Sequence, residues 1–211
     1  DNLTEKQMMA ISGKMGFSET AFVQKSSKAD FKVRFFTPSN EVDLCGHATI
    51  ATYYLLWKKG QIAIGVYKQE TKAGVLDIEI SSGGTVFMDQ NLPQYFEKLD
   101  KGEIAASLNV PIAYLDEELP VQIVSTGLKD VIVPIRNLDY LFAIKPNFET
   151  VAEICKENNA IGYHVFTLET KFKSTAHCRN FAPLYGIQEE SATGTSNGAL
   201  SCYLFKYGKL N

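Results

Sequence analysis

Several absences bound what this 211-residue sequence can be. No apolar run approaches the ~20 residues a membrane-spanning helix needs, so no span is expected. The four cysteines (Cys45, Cys155, Cys178, Cys202) show no paired spacing. In a chain of this length that favours reduced thiols in a cytoplasm over a disulfide frame. Cys45 and His47 alone are too few ligands for a metal, and no third is spaced nearby, so no metal is expected. Net charge is -3 and the pI about 5.7, which gives no bulk attraction to nucleic acid. There is no low-complexity segment, linker or charge block, and no signal peptide is visible at Asp1. Asn2-Leu3-Thr4 fits a glycosylation acceptor, a tripeptide too common to carry weight.

What is present is a packed globular chain. Hydrophobic residues make up 45% of it, and the length suits one large or two small domains. The stretch Arg34 to Gly60 reads as a strand ending at Phe36, stopped by Thr37-Pro38. A polar loop follows, then Cys45-Gly46-His47, then a run with helical spacing at Ile50, Tyr53, Tyr54 and Trp57. Lys58, Lys59 and Gly60 suit a helix C-terminus. The pattern returns between Arg179 and Gly208. Arg34, Phe36 and Pro38 match Arg179, Phe181 and Pro183; after a longer loop, Gly46, Ala51, Leu56, Lys58 and Gly60 match Gly194, Ala199, Leu204, Lys206 and Gly208. One strand–loop–helix unit therefore occurs twice, a strong clue to architecture.

In chain order, Asn2 or Thr4 can cap a first helix with Met8, Met9, Ile11 and Met15 inside, ended by Gly16. Strands are expected at 21–24, 31–36, 62–68, 74–80 and 85–89, with Ser82-Gly83-Gly84 as a hairpin signal and 91–95 as a crossing segment. A second set follows: a helix at 102–108, strands at 121–125 and 131–135, helices at 137–143 and 147–158, a strand at 162–168, and 174–181 leading into the second unit. An α+β fold of two pseudo-symmetric halves, 1–97 and 98–211, each a curled, mostly antiparallel sheet around one apolar helix, buries both helices.

Chemistry concentrates at the two helix starts. A helix N-terminus offers unpaired N–H groups and partial positive charge. Gly46-His47 and Gly194-Thr195 lie at such starts, and one per half, facing each other across a cleft, suits a small carboxylate. The other reading is two packing glycines at tight turns. Cys45 reads either as a thiol activated by the helix start or as a small buried residue. His47 stands at a loop–helix junction, whereas His164 and His177 lie in strands as core or surface residues. Glu19, between Phe17 and Phe22, is either a solvated turn residue or a carboxylate with a raised pKa fit for acid–base work. Glu189 and Glu190 precede the second helix, where they could cap it or meet substrate.

FSETAFV at 17–23, RFFTPSNEVDLCGHATIA at 34–51 and RNFAPLYGIQEESATGTSNGAL at 179–200 together resemble the phenazine-biosynthesis PhzF family. That family is similar in fold to diaminopimelate epimerase, and the resemblance is collinear across the chain. The family's first strand would precede Asp1 and its final strands would follow Asn211. By motif, the resemblance implies Glu19 as catalytic acid–base and His47 as the histidine after glycine. Glu190 stands where members usually have Asp, and Thr195 where they usually have Ser. Gly46 and Gly194, with Cys45 and Thr193 beside them, fall at positions whose backbone amides hold substrate carboxylate. The implied activity is cofactor-independent isomerisation of a small carboxylate-bearing metabolite by a homodimer, with no cofactor. The alternatives are a thiol-dependent epimerase or racemase using Cys45, and a non-catalytic metabolite-binding member of the fold. Epimerases of this fold use two thiols, and the matching place in the second unit is Ser191 or its neighbours, with no Cys there.

Overall fold

The computed structural model describes residues 3–210; Asn2, one of the two caps considered for the first helix, lies outside them. The described chain forms two compact units that divide between Asp89 and Gln90. That is earlier than residue 97, because the strand Gln94–Lys98 joins the second sheet.

The first unit opens with α1 (Glu5–Met15). Thr4 caps it reciprocally with Gln7, satisfying two N–H groups that the helix itself cannot pair. Gly16 takes a left-handed conformation (φ 73°) and ends it. Met8 and Ser12 form the buried stripe, and the Ser12 hydroxyl donates to the Met8 carbonyl at 2.9 Å. Met15, expected inside, falls in the last turn and is 52% exposed. Then come β1 (Thr20–Gln24), β2 (Phe31–Phe36), β3 (Glu41–Val42), α2 (Gly46–Lys58), β4 (Gly65–Thr71), β5 (Gly74–Ile80) and β6 (Val86–Met88). The sheet runs β1-β2-β4-β5-β6 with β3 beside β2, all antiparallel except β2 with β4.

The strand expected at 62–68 lies further on, at Gly65–Thr71. The hairpin sets this register: Thr71 faces Gly74, whose φ of 129° suits the tight reversal, and the Thr71 hydroxyl donates to the Gly74 carbonyl. Between β5 and β6, Gly84 has φ 80°, and a Cβ there would stand 2.1 Å from the Trp57 ring. Backbone and packing both require glycine. The apolar side of α2 places Tyr53 among Ile78, Ile80, Phe31 and Trp57.

The second unit contains β7 (Gln94–Lys98), α3 (Lys101–Ser107), β8 (Gln122–Ser125), β9 (Lys129–Pro134), α4 (Leu138–Ala143), α5 (Phe148–Glu157), β10 (Gly162–Thr167), β11 (His177–Ala182), β12 (Ile187–Glu190) and α6 (Gly194–Lys206). Its sheet runs β12-β11-β10-β9-β8-β7. Only β9 and β10 pair in parallel, and α4 and α5 supply the crossover that a parallel pair needs. This sheet is covered on both faces, so β8 and β10 are buried throughout. Ile123, Val131, Val133 and Val165 meet α3 and α5 on one face. Val124, Ile132 and Phe166 meet Ala199, Leu200, Tyr203 and Leu204 of α6 on the other.

The sequence repeat is a structural repeat. α2 and α6 are both 13 residues long. Their N-caps, Cys45 (φ -140°, ψ 111°) and Thr193 (φ -138°, ψ 114°), share one backbone conformation. In each unit an arginine makes a two-pronged ion pair: Arg34 with Glu41, and Arg179 with Glu189. Each guanidinium also stacks on the phenylalanine two residues on, Phe36 at 5.0 Å and Phe181 at 4.8 Å from the ring centroid. Glu189 is thus a strand-pinning residue and not a helix cap. The fold is the expected α+β arrangement of two related halves, each a mostly antiparallel sheet with a matching helix, α2 or α6, while the second sheet carries α3 and α5 on its other face as well.

Candidate active site

In the first unit, the loop after β3 delivers Cys45 to the N-cap of α2, so Gly46 and His47 open the helix. The Cys45 side chain does not cap the backbone N–H groups of the first turn. The first-turn N–H groups have no carbonyl one turn back to bond, which leaves donors and partial positive charge at this end. Glu19 arrives from the turn just before β1, and its Oε2 lies 3.3 Å from His47 Nε2. The Glu19 side chain is 13% exposed and that of His47 36%. Although close to the imidazole, Glu19 Oε2 is buried without a directed hydrogen bond. Cys45 Sγ is 3.7 Å from both His47 ring nitrogens. No single N–H direction points at an atom equidistant from both, so the sulfur lies against the ring.

The electrostatics differ from the sequence expectation. The Glu19 carboxyl is held below its ordinary value, chiefly by the neighbouring His47, which outweighs the upward effect of burial. The expectation of a raised value came from Phe17 and Phe22 as apolar neighbours, but Phe17 is 66% exposed and a cation sits at the carboxylate instead. His47 is raised to about 10 by the Cys45 sulfur first and the Glu19 carboxylate second. At neutral pH the two therefore stand as carboxylate and imidazolium.

Glu19, Cys45 and His47 each place one donor atom within 4.8 Å of the others. The expectation that no third donor lies near Cys45 and His47 is corrected, because chain folding and not spacing brings Glu19 in. Oxygen, sulfur and nitrogen are donor types that a zinc-type ion takes, but His47 could join them only after losing the proton it holds at neutral pH.

In the second unit, Thr193 occupies the N-cap of α6, and its hydroxyl accepts from Ser196 N–H. Gly194, an exposed residue, starts the helix, and its carbonyl accepts from Gln90 Nε2 at 3.2 Å. The Thr195 carbonyl faces the Thr126 hydroxyl at 3.4 Å. Glu190 ends β12 and accepts from the N–H of Ser191. Sequence reading missed the supports beneath this turn: Gln90, Asn180, His164, Ser196 and Asn197. Each is an ordinary polar residue in isolation, and only His164 was singled out, as a strand residue.

A sequence model of the phenazine biosynthesis-like family, PhzC-PhzF, matches residues 1–211. The chain belongs to this family. The uncharacterized isomerase YfhB of Bacillus subtilis (strain 168) is 35% identical over 215 residues, covering 99% of this chain and 73% of the relative. Trans-2,3-dihydro-3-hydroxyanthranilate isomerase of Pseudomonas fluorescens is 27% identical over 223 residues, covering 100% of this chain and 73% of that enzyme. The crystal structure of the Bacillus anthracis PhzF-family phenazine biosynthesis protein superimposes with a TM-score of 0.87 at 40% identity, covering 96% of this chain and 70% of that one. A hydroxyproline epimerase from Agrobacterium vitis shares the fold alone, with a TM-score of 0.57 at 14% identity, covering 92% of this chain and 60% of that one. This PhzF-family chain is an isomerase with the diaminopimelate epimerase-like fold. Among its described residues no helix is long and apolar enough to cross a membrane.

Proposed function

We propose that the chain isomerises a small carboxylate-bearing metabolite by proton transfer, with Glu19 as the acid–base. The observation that carries this reading is the Glu19–His47 pair. A largely buried carboxylate oxygen with no directed hydrogen bond has a lone pair free to take a proton from carbon. It then returns that proton to a different carbon of the same molecule, so substrate and product are isomers and Glu19 is regenerated. His47, cationic beside it, keeps Glu19 ionised between turnovers and is a proton source for charge developing on the substrate.

The start of α2 at Gly46, half-buried beside the buried Cys45, favours a carboxylate through its unpaired N–H groups. In the second unit the matching roles fall to Thr193 and Gly194 for carboxylate binding, and to Glu190 and Thr195 for coupled protons. Glu190 and Thr195 are longer or bulkier than the Asp and Ser usual in the family, which bears on substrate choice more than on reaction type. The relative that acts on trans-2,3-dihydro-3-hydroxyanthranilate makes cyclic dienes of that kind the first substrates to try. The reading extends to a cytoplasmic homodimer. The free cysteines support the compartment, and exposed Val66 and Phe87 on one face of the first sheet support self-association.

The test is hydrogen exchange in deuterated water, followed by NMR over a panel of hydroxyanthranilate-like dienes, amino acids and dicarboxylates. C–H to C–D replacement that vanishes in Glu19→Gln and persists in Cys45→Ala is the expected result. Replacement that survives Glu19→Gln but vanishes in Cys45→Ala would move the chemistry to the thiol. Binding without any exchange would make the chain a metabolite-binding member.

A further inference from the structure

We propose that His164 is a positioning residue: neutral and protonated on Nε2, it closes a ring of hydrogen bonds that fixes the first turn of α6 on the second sheet. The ring runs Thr193, Ser196, Asn180, His164, Asn197 and back to Thr193. Nothing in the reaction proposed above uses His164 directly. It matters because Gly194 and Thr195 lie in the turn that the ring holds, so its effect on binding rests on the reading that this turn takes a carboxylate.

One atom fixes the protons at the Asn197 end of the ring. The Thr193 carbonyl oxygen can only accept, so the Asn197 atom 2.6 Å from it is the amide nitrogen. The other end of Asn197 is then its oxygen, which faces His164 Nε2 at 3.3 Å. That oxygen also only accepts, so Nε2 carries a hydrogen. On the far side of the ring, Asn180 faces His164 Nδ1 at 3.2 Å and Ser196 Oγ at 3.3 Å with the same atom. An amide nitrogen has two hydrogens and satisfies both, provided Nδ1 is a bare acceptor. With Asn180 donating from its nitrogen, His164 is the neutral Nε2–H tautomer.

The remaining hydrogens follow. The Thr193 hydroxyl accepts from Ser196 N–H, so its own hydrogen goes to Ser196 Oγ at 2.9 Å. Ser196 Oγ thus accepts twice, and it also acts on the buried Asp130 carboxyl, drawing its pKa down against the larger upward effect of burial. A second proton on His164 would require the Asn180 amide to turn over, with its oxygen accepting from Nδ1 and from Ser196. The surroundings disfavour that charge. His164 is 1% exposed and burial holds it down to about 4. Asp130 of β9 shares the same sheet face one pair away, and burial keeps it neutral up to about 7. Cys178 of β11, within 3.9 Å of Asn197 Oδ1, is likewise pushed up to about 11. From α6 the facing groups are Ser196 and Asn197, both uncharged.

The experiment is two-bond 15N–1H correlation NMR on the labelled full chain, with His164→Phe to assign the signal and 3-hydroxyanthranilate as the carboxylate probe. Wild type should show His164 with the proton on Nε2 and no titration from about pH 8 to about pH 5. In His164→Phe the Gly194 and Thr195 amide signals should move, and probe affinity should fall on the order of tenfold, as expected for a buried network left unpaired. His164→Gln keeps a donor toward Asn197 and should lie between the two. An Nδ1–H tautomer, titration near the ordinary histidine value, or Gly194 and Thr195 amides unmoved in His164→Phe would each overturn the proposal. Expected nitrogen shifts in a wild type whose Gly194 amide ignores the probe would uphold the ring and reject the carboxylate reading, so the two failures are distinguishable.

Discussion

Glu19 and His47 meet at 3.3 Å, and each sets the charge of the other. The imidazole holds the carboxyl below its ordinary range, and the carboxylate, after the Cys45 sulfur, raises the imidazole to about 10. Neither group has its ordinary chemistry alone, so changing one should be legible in the other.

Replacing Glu19 by Gln should lower turnover on the order of 10²–10⁴-fold, the usual worth of a positioned acid–base. The same change removes a charge from beside His47, so its pKa should fall from about 10. Steady-state kinetics and an NMR titration of His47 on one sample check both. Unchanged turnover would remove Glu19 from the chemistry.

The pair should also shape stability against pH, with opposite signs at the two ends. Glu19 is lowered from 4.5, so its contribution is present above that value and lost as pH falls through the native pKa. His47 is raised from 6.5 to about 10, so its contribution is complete below 6.5 and lost as pH rises towards 10. Their joint contribution is greatest between 4.5 and 6.5. The partial exposure of His47 keeps it modest. Urea midpoints of wild type and Glu19→Gln should differ most in that window and converge at both extremes.

Asp130 predicts the reverse trend. Burial raises it from 3.8 to about 7, so folding is penalised increasingly as pH rises across that interval. Asp130→Asn should match wild type near the acid end and be more stable at alkaline pH, by at most about 4 kcal/mol. Urea denaturation at the two ends of the interval tests it. A destabilised variant at alkaline pH would mean that Asp130 is ionised and well paired in the native protein.

Two glycines should respond differently to alanine. A Cβ on Gly162 would lie 2.2 Å from the Phe181 carbonyl oxygen, which is backbone of the paired strand and cannot step aside. Gly162→Ala should cost about 3 kcal/mol or more by overpacking. A Cβ on Gly198 would lie 2.1 Å from Gln90 Oε1, the end of a flexible side chain. Gly198→Ala should cost about 1 kcal/mol, since Gln90 can swing away and give up its bonds to Thr126 and the Gly194 carbonyl. Thermal or urea unfolding of the two variants gives the contrast directly.

Much of the fold was legible because its signals are local. The Thr4 cap and the Gly16 stop were read from neighbouring residues, as were the Pro38 break and the glycine hairpin before β6. The repeat was legible because each unit must bury one strand and one helix with the same apolar spacing. Other features were not. The short strands β3 and β12 have no pattern of their own and exist because β2 and β11 offer them an edge. The parallel pairing of β9 with β10 depends on where α4 and α5 return the chain, which no periodicity records.

By itself, then, the sequence determined the family, the doubled strand–loop–helix plan, and which residue types stand at the two helix starts, because motifs and short-range propensities are written in adjacent residues. Only the tertiary structure decided that Glu19 is lowered and not raised, that it joins Cys45 and His47, and that Glu189 serves Arg179. It also decided that five scattered polar residues close a ring under α6. The physical reason is that charge, burial and hydrogen-bond direction are set by what lies within a few ångströms in space, and Glu19, Arg179, Asn180 and His164 are brought to their partners from other segments of the chain.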